Sequence, residues 1–158
     1  MSTDRELLRH MVATIAYRGG KAIRGAPEGF GAVAAGPGSR TAVEILAHIG
    51  DLFEWGLGLA DGEHRWAESS EAEWEVQVER FYAGLQAVDT RLASDEPLER
   101  PAHRLLQGPF ADALTHIGQI ALLRRLADAP VRGENYFKAE VQRGRVGRDQ
   151  NPPVFEFD

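Results

Sequence analysis

Between Trp74 and Leu92 the large apolar residues fall at Trp74, Val78, Phe81, Leu85, Val88 and Leu92, alternately four and three residues apart. A strand would need every second residue apolar, so this spacing predicts an α-helix. It keeps a narrow stripe facing one neighbour along the whole segment, as in packed helical bundles. A single stripe of this kind buries nothing unless other helices supply matching faces.

Three other segments supply them. The first runs from about Asp4 to Tyr17, with Leu8, Met11, Val12 and Ile15 on one face. Thr3 and Glu6 predict a capping box at its start. Gly19 and Gly20 weaken the helix, and Gly25 with Pro27 ends it. The second runs from about Ala42 to Leu59, opened by a Thr41–Glu44 box, with Ile45, His48, Ile49, Leu52, Trp55 and Leu59 in its stripe. The segment with the cleanest stripe is the third, from about Glu71 to Leu92, with Ser70 and Glu73 as its box. Asp95, Glu96, Pro97 and Pro101 form a linker. The fourth helix is expected to start with Gly108 as cap and Pro109 in the first turn. It runs to about Ala127 and carries Ala113, His116, Ile120, Leu123 and Ala127 on one face.

The connections are less regular. Gly25, Gly29, Gly31, Gly36 and Gly38 crowd the segment before the second helix. A phosphate loop would need a following Gly-Lys-Ser/Thr and a preceding strand, and neither is present. A long crossover, which lets two helices run in the same direction, accounts for the segment better. A short helix is expected from Glu134 to Val141, and an extended tail from Asn151 to Asp158 packs on the body or on a partner. No strand pair is expected. With 158 residues, the chain reads as a single all-α domain, a four-helix bundle over 1–158 with a C-terminal tail from about 144.

Composition narrows the function classes. The net charge of -6 disfavours a phosphate backbone unless basic residues cluster locally. Arg143, Arg145 and Arg148 are the best such cluster, but Glu140 and Asp149 dilute it, and a solvated tail explains it. No nucleic-acid partner is expected. The absence of cysteine excludes disulfides, thiolate ligands and a cysteine nucleophile. No apolar run approaches the ~20 residues of a membrane span, and Ser2 to Glu6 lacks the apolar core of a signal peptide. Neither a membrane partner nor export is expected, which leaves the cytoplasm as the default compartment.

Two histidines stand out because they occupy apolar stripes. A buried imidazole costs free energy unless both ring nitrogens find partners. His48 and His116 lie on core faces of separate helices, and Asp112 stands one turn before His116 on the same face. Two imidazoles and a carboxylate can hold zinc with a position left for water or substrate, and they also suit iron, manganese or nickel. The same three side chains can instead satisfy one another as a buried polar network. Spacing alone leaves both readings open.

At these residues the chain resembles a known family. The segment from Thr41 to Trp55 around His48 and Asp51 is similar to the helix-two signature of the DinB-like (damage-inducible) superfamily. Asp112-Ala-Leu-Thr-His116-Ile-Gly-Gln119-Ile is similar to its last-helix signature. The run from Leu122 through Pro130 to Lys138 resembles an uncharacterised bacterial subgroup. The resemblance spans about Gly38 to Gln150. It implies an up-down-down-up bundle with long crossovers. It also implies a divalent metal, zinc or nickel foremost, held by one histidine of helix two and two of the last helix. His48 and His116 match two of those positions, whereas Asp112 replaces the third histidine. Members of the family include transferases and isomerases that use an external low-molecular-weight thiol.

Two functional expectations follow. The first is a metal-dependent thiol transferase or hydrolase acting on a small molecule. The second is a non-catalytic bundle with a binding or stress role, in which the trio is a polar network. Either would form a homodimer through exposed apolar faces such as Leu114 and Leu126. Glu44 is a candidate base or second acceptor, although its capping role explains it. Gln119 and Arg124 are candidate ligand contacts, with an ordinary hydrogen bond and a salt bridge as their alternatives. His10, His64 and His103 lack a partner set, and Trp55, Trp66 and Trp74 read more readily as core than as pocket.

Overall fold

A computed structural model describes residues 2–70 and 73–157. Among these residues the chain is all-α but for two very short strands. The helices are α1 (Thr3–Ile23), α2 (Ala42–Ala60), α3 (Trp74–Ala93), a short α4 (Ala102–Leu105) and α5 (Ala111–Leu126). Helices α1 and α2 each pack against both α3 and α5, so the four long helices enclose one core. Phe53, Phe81, Phe110, Leu46, Ile49 and Leu85 are among its fully buried side chains.

Helix α1 passes through the two glycines expected to weaken it. At Gly19 an added Cβ would lie 2.5 Å from Phe81 Cζ and 3.0 Å from Ile117 Cδ1. The missing side chain lets α3 and α5 approach closely, and that packing outweighs the poor helix propensity of glycine. Ser2, rather than Thr3, caps the helix by accepting from Arg5 N. Helix α2 begins as expected, with both halves of the Thr41–Glu44 box formed.

Helix α3 starts at Trp74, with Glu73 at the N-cap position and no side-chain capping hydrogen bond to the first turn. The expected start at Glu71 lies outside the described residues. Val78, Phe81, Leu85, Val88 and Leu92 are all buried, so the four-and-three stripe is the core face of α3.

The last helix departs most from expectation. Pro101 stands at the start of α4, and residues Leu106–Phe110 form a wide π turn that leads into α5 without leaving helical backbone. Pro109 therefore lies inside the rod rather than at its start. A proline within a helix cannot donate its hydrogen bond and crowds the carbonyl four residues back. The wider turn, in which Ala111 N–H reaches Leu106 O, absorbs both effects.

The ends of the helices meet in pairs. Arg91, near the end of α3, donates to Ala60 O at the end of α2 (3.0 Å). Arg5, at the start of α1, instead donates to Leu92 O and to the carbonyls of Ser94 and Glu96 beyond α3. The C-terminal segment wraps back over α1. Gly133–Glu134 (β1) pairs antiparallel with Glu156–Phe157 (β2), where a helix from Glu134 and no strand pair were expected. Tyr17 Oη donates to Glu134 Oε1 (2.7 Å), and Lys21 Nζ reaches Glu134 Oε2 (3.2 Å) and Glu156 Oε2 (2.9 Å). These polar anchors and the phenylalanine packed on Gly133 hold an extended segment that would otherwise be free to coil.

The basic cluster of the tail is paired off. Arg143 faces Glu6, Arg145 faces Asp149, and Arg148 pairs with Glu79 while lying over the Tyr82 ring. No helix of the described residues is long and apolar enough to cross a membrane.

Candidate metal centre

His48 projects from the middle of α2, and Asp112 and His116 project from the first turns of α5. The π turn immediately before Ala111 sets the rotation of α5 and so the direction of both side chains. One ligand atom from each of the three residues lies within 4.8 Å of the other two. Asp112 stands between the imidazoles. Its Oδ2 is 3.5 Å from His48 Nε2, and its Oδ1 is 3.3 Å from His116 Nδ1. The two rings lie 4.5 Å apart, centre to centre.

The backbone fixes one proton. His116 Nδ1 is 2.8 Å from the carbonyl oxygen of Asp112. A carbonyl only accepts, so a hydrogen bond there requires Nδ1–H, and the lone pair then resides on Nε2. Orientation of an imidazole through its second nitrogen is the arrangement seen in metal-ligating histidines.

Burial disfavours the charged form of His48. Desolvation pushes its imidazole below the ordinary histidine range, the His116 ring and Arg40 act in the same direction, and Asp112 opposes them. Neutral imidazole is the form that donates a lone pair to a cation. The side chains of His48 and His116 are 16% and 13% exposed, whereas Asp112 is 44% exposed. The group is thus closed on its histidine side and open beside the carboxylate.

The donor set fits a divalent ion. A tetrahedral zinc ion with bonds of ~2.0–2.1 Å holds its ligand atoms roughly 3.4 Å apart. The His48–Asp112 distance already matches, and modest side-chain rotation closes the widest gap. Among the described residues no other group of three such side chains converges in this way.

A cleft of about 300 Å³ adjoins His48, lined by Arg40, Glu44, Asp51, Glu68, Ser69 and Ser70 among others. Glu44 therefore reaches the cleft, but its carboxylate accepts from Thr41 N (2.7 Å), and that bond holds it below the usual carboxylate range. Gln119 is exposed. Arg124 is elsewhere. It is 5% exposed and donates to the carbonyls of Ala22, Arg24, Gly25 and Ala129, closing the ends of α1 and α5. Its donors are thus taken up by backbone carbonyls away from the trio, and no carboxylate among the described residues pairs with it.

Trp55 packs against the core as expected, but Trp66, expected there too, lies in this region instead. Trp66 is 41% exposed, and its ring stands edge-on to His48 at 5.5 Å and to Trp55 at 5.9 Å. Trp55 stacks on His64 at 5.9 Å. Trp66 lies in the loop after α2, where no periodicity could have placed it.

No protein-family model matches the chain, and no curated protein and no solved structure matches it either.

Proposed function

We propose that the chain is a divalent-metal-binding protein of the DinB-like kind, with His48, Asp112 and His116 as the protein ligands. The observation that carries this reading is the convergence of two imidazoles and one carboxylate from α2 and α5. The order of helices supports the family reading. The ends of α2 and α3 meet at Ala60 and Arg91, and α1 meets α3 head to tail, as an up-down-down-up bundle requires. Zinc and nickel suit the imidazoles, and the harder Asp112 oxygen also admits iron or manganese.

The ion would supply Lewis acidity, lowering the pKa of a thiol or water brought in from solution. The chain's own residues do the rest. His48 and His116 exclude water from one side of the site, His116 is oriented by the Asp112 carbonyl, and Asp112 leaves the opposite side accessible. The adjoining cleft is small, at the lower end of the range for small-molecule sites. A metal-dependent thiol transferase or hydrolase acting on a small molecule is the activity that this arrangement supports.

One observation favours a second reading. Asp112 already lies near both imidazoles, so the three side chains can satisfy one another as a polar network in a non-catalytic bundle. Of the edge expected from the sequence, Leu114 packs against the core and Leu126 is exposed; Leu126 with the exposed Leu122 on α5 would then be the surface of a homodimer. Elemental analysis after repletion with zinc, nickel, manganese and iron separates the two. The metal reading expects stoichiometric metal that is lost in the double variant His48→Ala, His116→Ala. A metal-free protein after repletion supports the network.

A further inference from the structure

Gly20 differs from Gly19 in what surrounds it. A Cβ added at Gly20 would meet Tyr82 Oη at 3.1 Å and Arg24 Nη2 at 3.8 Å rather than a core side chain. The bare backbone of α1 thus forms a notch where a hydroxyl of α3 and a guanidinium from the end of α1 come together. Arg148 of the C-terminal segment brings a second guanidinium, its Cζ 5.0 Å from the centre of the Tyr82 ring. All three side chains line one cleft of about 320 Å³, together with Trp74 and Glu75. None of His48, Asp112 and His116 lines this cleft, so it is separate from the metal centre.

These donors outnumber the acceptors around them. Arg24 is exposed, and no carboxylate among the described residues pairs with it. Tyr82 is half-buried, and its hydroxyl makes no hydrogen bond to another described residue. Arg148 faces one carboxylate, that of Glu79. The phenol feels both cations: burial raises its pKa, and Arg24 and Arg148 act in the opposite direction. A guanidinium presents several N–H groups in one plane and matches the paired oxygens of a carboxylate or phosphate. We propose that Arg24, Tyr82 and Arg148 form a binding site for the oxyanion group, carboxylate or phosphate, of a small molecule seated over Gly20. Glu75 is the opposing charge in the cleft and limits the affinity.

The test titrates the full chain with phenyl phosphate and with benzoate at constant ionic strength, and follows the arginine Nε–H signals by proton–nitrogen NMR. A chelator strips any metal first, so that no anion reports through the histidine trio and the result stands apart from the metal reading. The signals of Arg24 and Arg148 should shift saturably with at least one probe, while that of Arg143 stays in place. Tighter binding of phenyl phosphate would assign a phosphate to the natural ligand, and tighter binding of benzoate a carboxylate. Arg24→Gln should weaken binding roughly tenfold, the low end for a charge-assisted hydrogen bond, and Tyr82→Phe roughly two- to tenfold. Glu75→Gln should tighten it roughly two- to fivefold. Gly20→Ala sets a methyl 3.1 Å from the Tyr82 oxygen and should weaken binding although no donor is lost. The Arg24 side chain is exposed, so Arg24→Gln should keep the wild-type urea midpoint and the test remains decisive if Tyr82→Phe is unstable. Arginine signals that neither probe moves, or equal affinity in wild type and Arg24→Gln, would overturn the inference.

Discussion

His116 Nδ1 lies 2.8 Å from the carbonyl oxygen of Asp112, one helical turn earlier on α5. The helix therefore orients one of its own imidazoles. The carbonyl accepts a hydrogen bond from Nδ1–H, and Nε2 is left with the lone pair. Because the same residue also contributes a carboxylate, Asp112 acts on the site twice, once through its backbone and once through its side chain. A substitution at Asp112 keeps the first contact and changes only the second.

That separation makes Asp112→His informative. The backbone carbonyl still orients His116, and the side chain becomes a softer imidazole ligand. Zinc and nickel affinity should rise in this variant, and manganese affinity should fall. Competition titrations against a chromophoric chelator measure both. Unchanged affinity for all three metals would show that the residue 112 side chain is not a ligand.

Helix α1 tests the packing account. Gly19→Ala gains about 1 kcal/mol of helix propensity, but its Cβ would fall 2.5 Å from the fully buried Phe81. Overpacking costs about 1–3 kcal/mol, so the variant should be less stable. Gly118→Ala on α5 meets nothing within 4 Å and should gain roughly 0.5–1 kcal/mol. Urea denaturation of the two variants should therefore move in opposite directions.

Arg124 offers a second stability test. Its guanidinium serves four backbone carbonyls, and burial pushes its pKa below the ordinary arginine value. Arg124→Ala leaves those carbonyls without their donor and should cost at least about 2 kcal/mol. Arg124→Lys should recover only part of this, because an ammonium cannot span the same fork. Full recovery by lysine, seen as equal urea midpoints, would contradict the account.

The tail anchor predicts a response to alkali. Burial raises the Tyr17 pKa, and the hydrogen bond to Glu134 adds to it. For Lys21 burial opposes the charge, but its bonds to Glu156 and Glu134 raise the value overall. Both groups hold their protons more tightly in the folded state. Their contribution is complete below an unfolded pKa of about 10 and is lost as pH rises through the folded values. The melting temperature should fall above about pH 10, and Tyr17→Phe should fall less steeply. Equal slopes for the two proteins would remove Tyr17 from the explanation.

Helix α2 was legible from residue types alone, because a capping box and an apolar stripe agree on its register. The trio was legible for the same reason: two imidazoles on core faces, with Asp112 one turn from His116, constrain each other. The fate of Gly19 was hidden, since only the approach of Phe81 gives a glycine there its use. Pro109 reads as a helix start, and the π turn that absorbs it has no periodic signature. The β1–β2 pair is too short for alternation to show. Trp66 was beyond reach because it lies in the loop after α2, where no periodic pattern constrains a side chain.

On the metal reading, two imidazoles from separate helices share one ion. Long-range proton–nitrogen NMR of the histidine rings during a zinc titration tests it directly. The ring nitrogens of His48 and His116 should shift together and finish at a single equivalent, while those of His10, His64 and His103 stay in place. Zinc that leaves both rings unmoved, or moves one without the other, would contradict the claim.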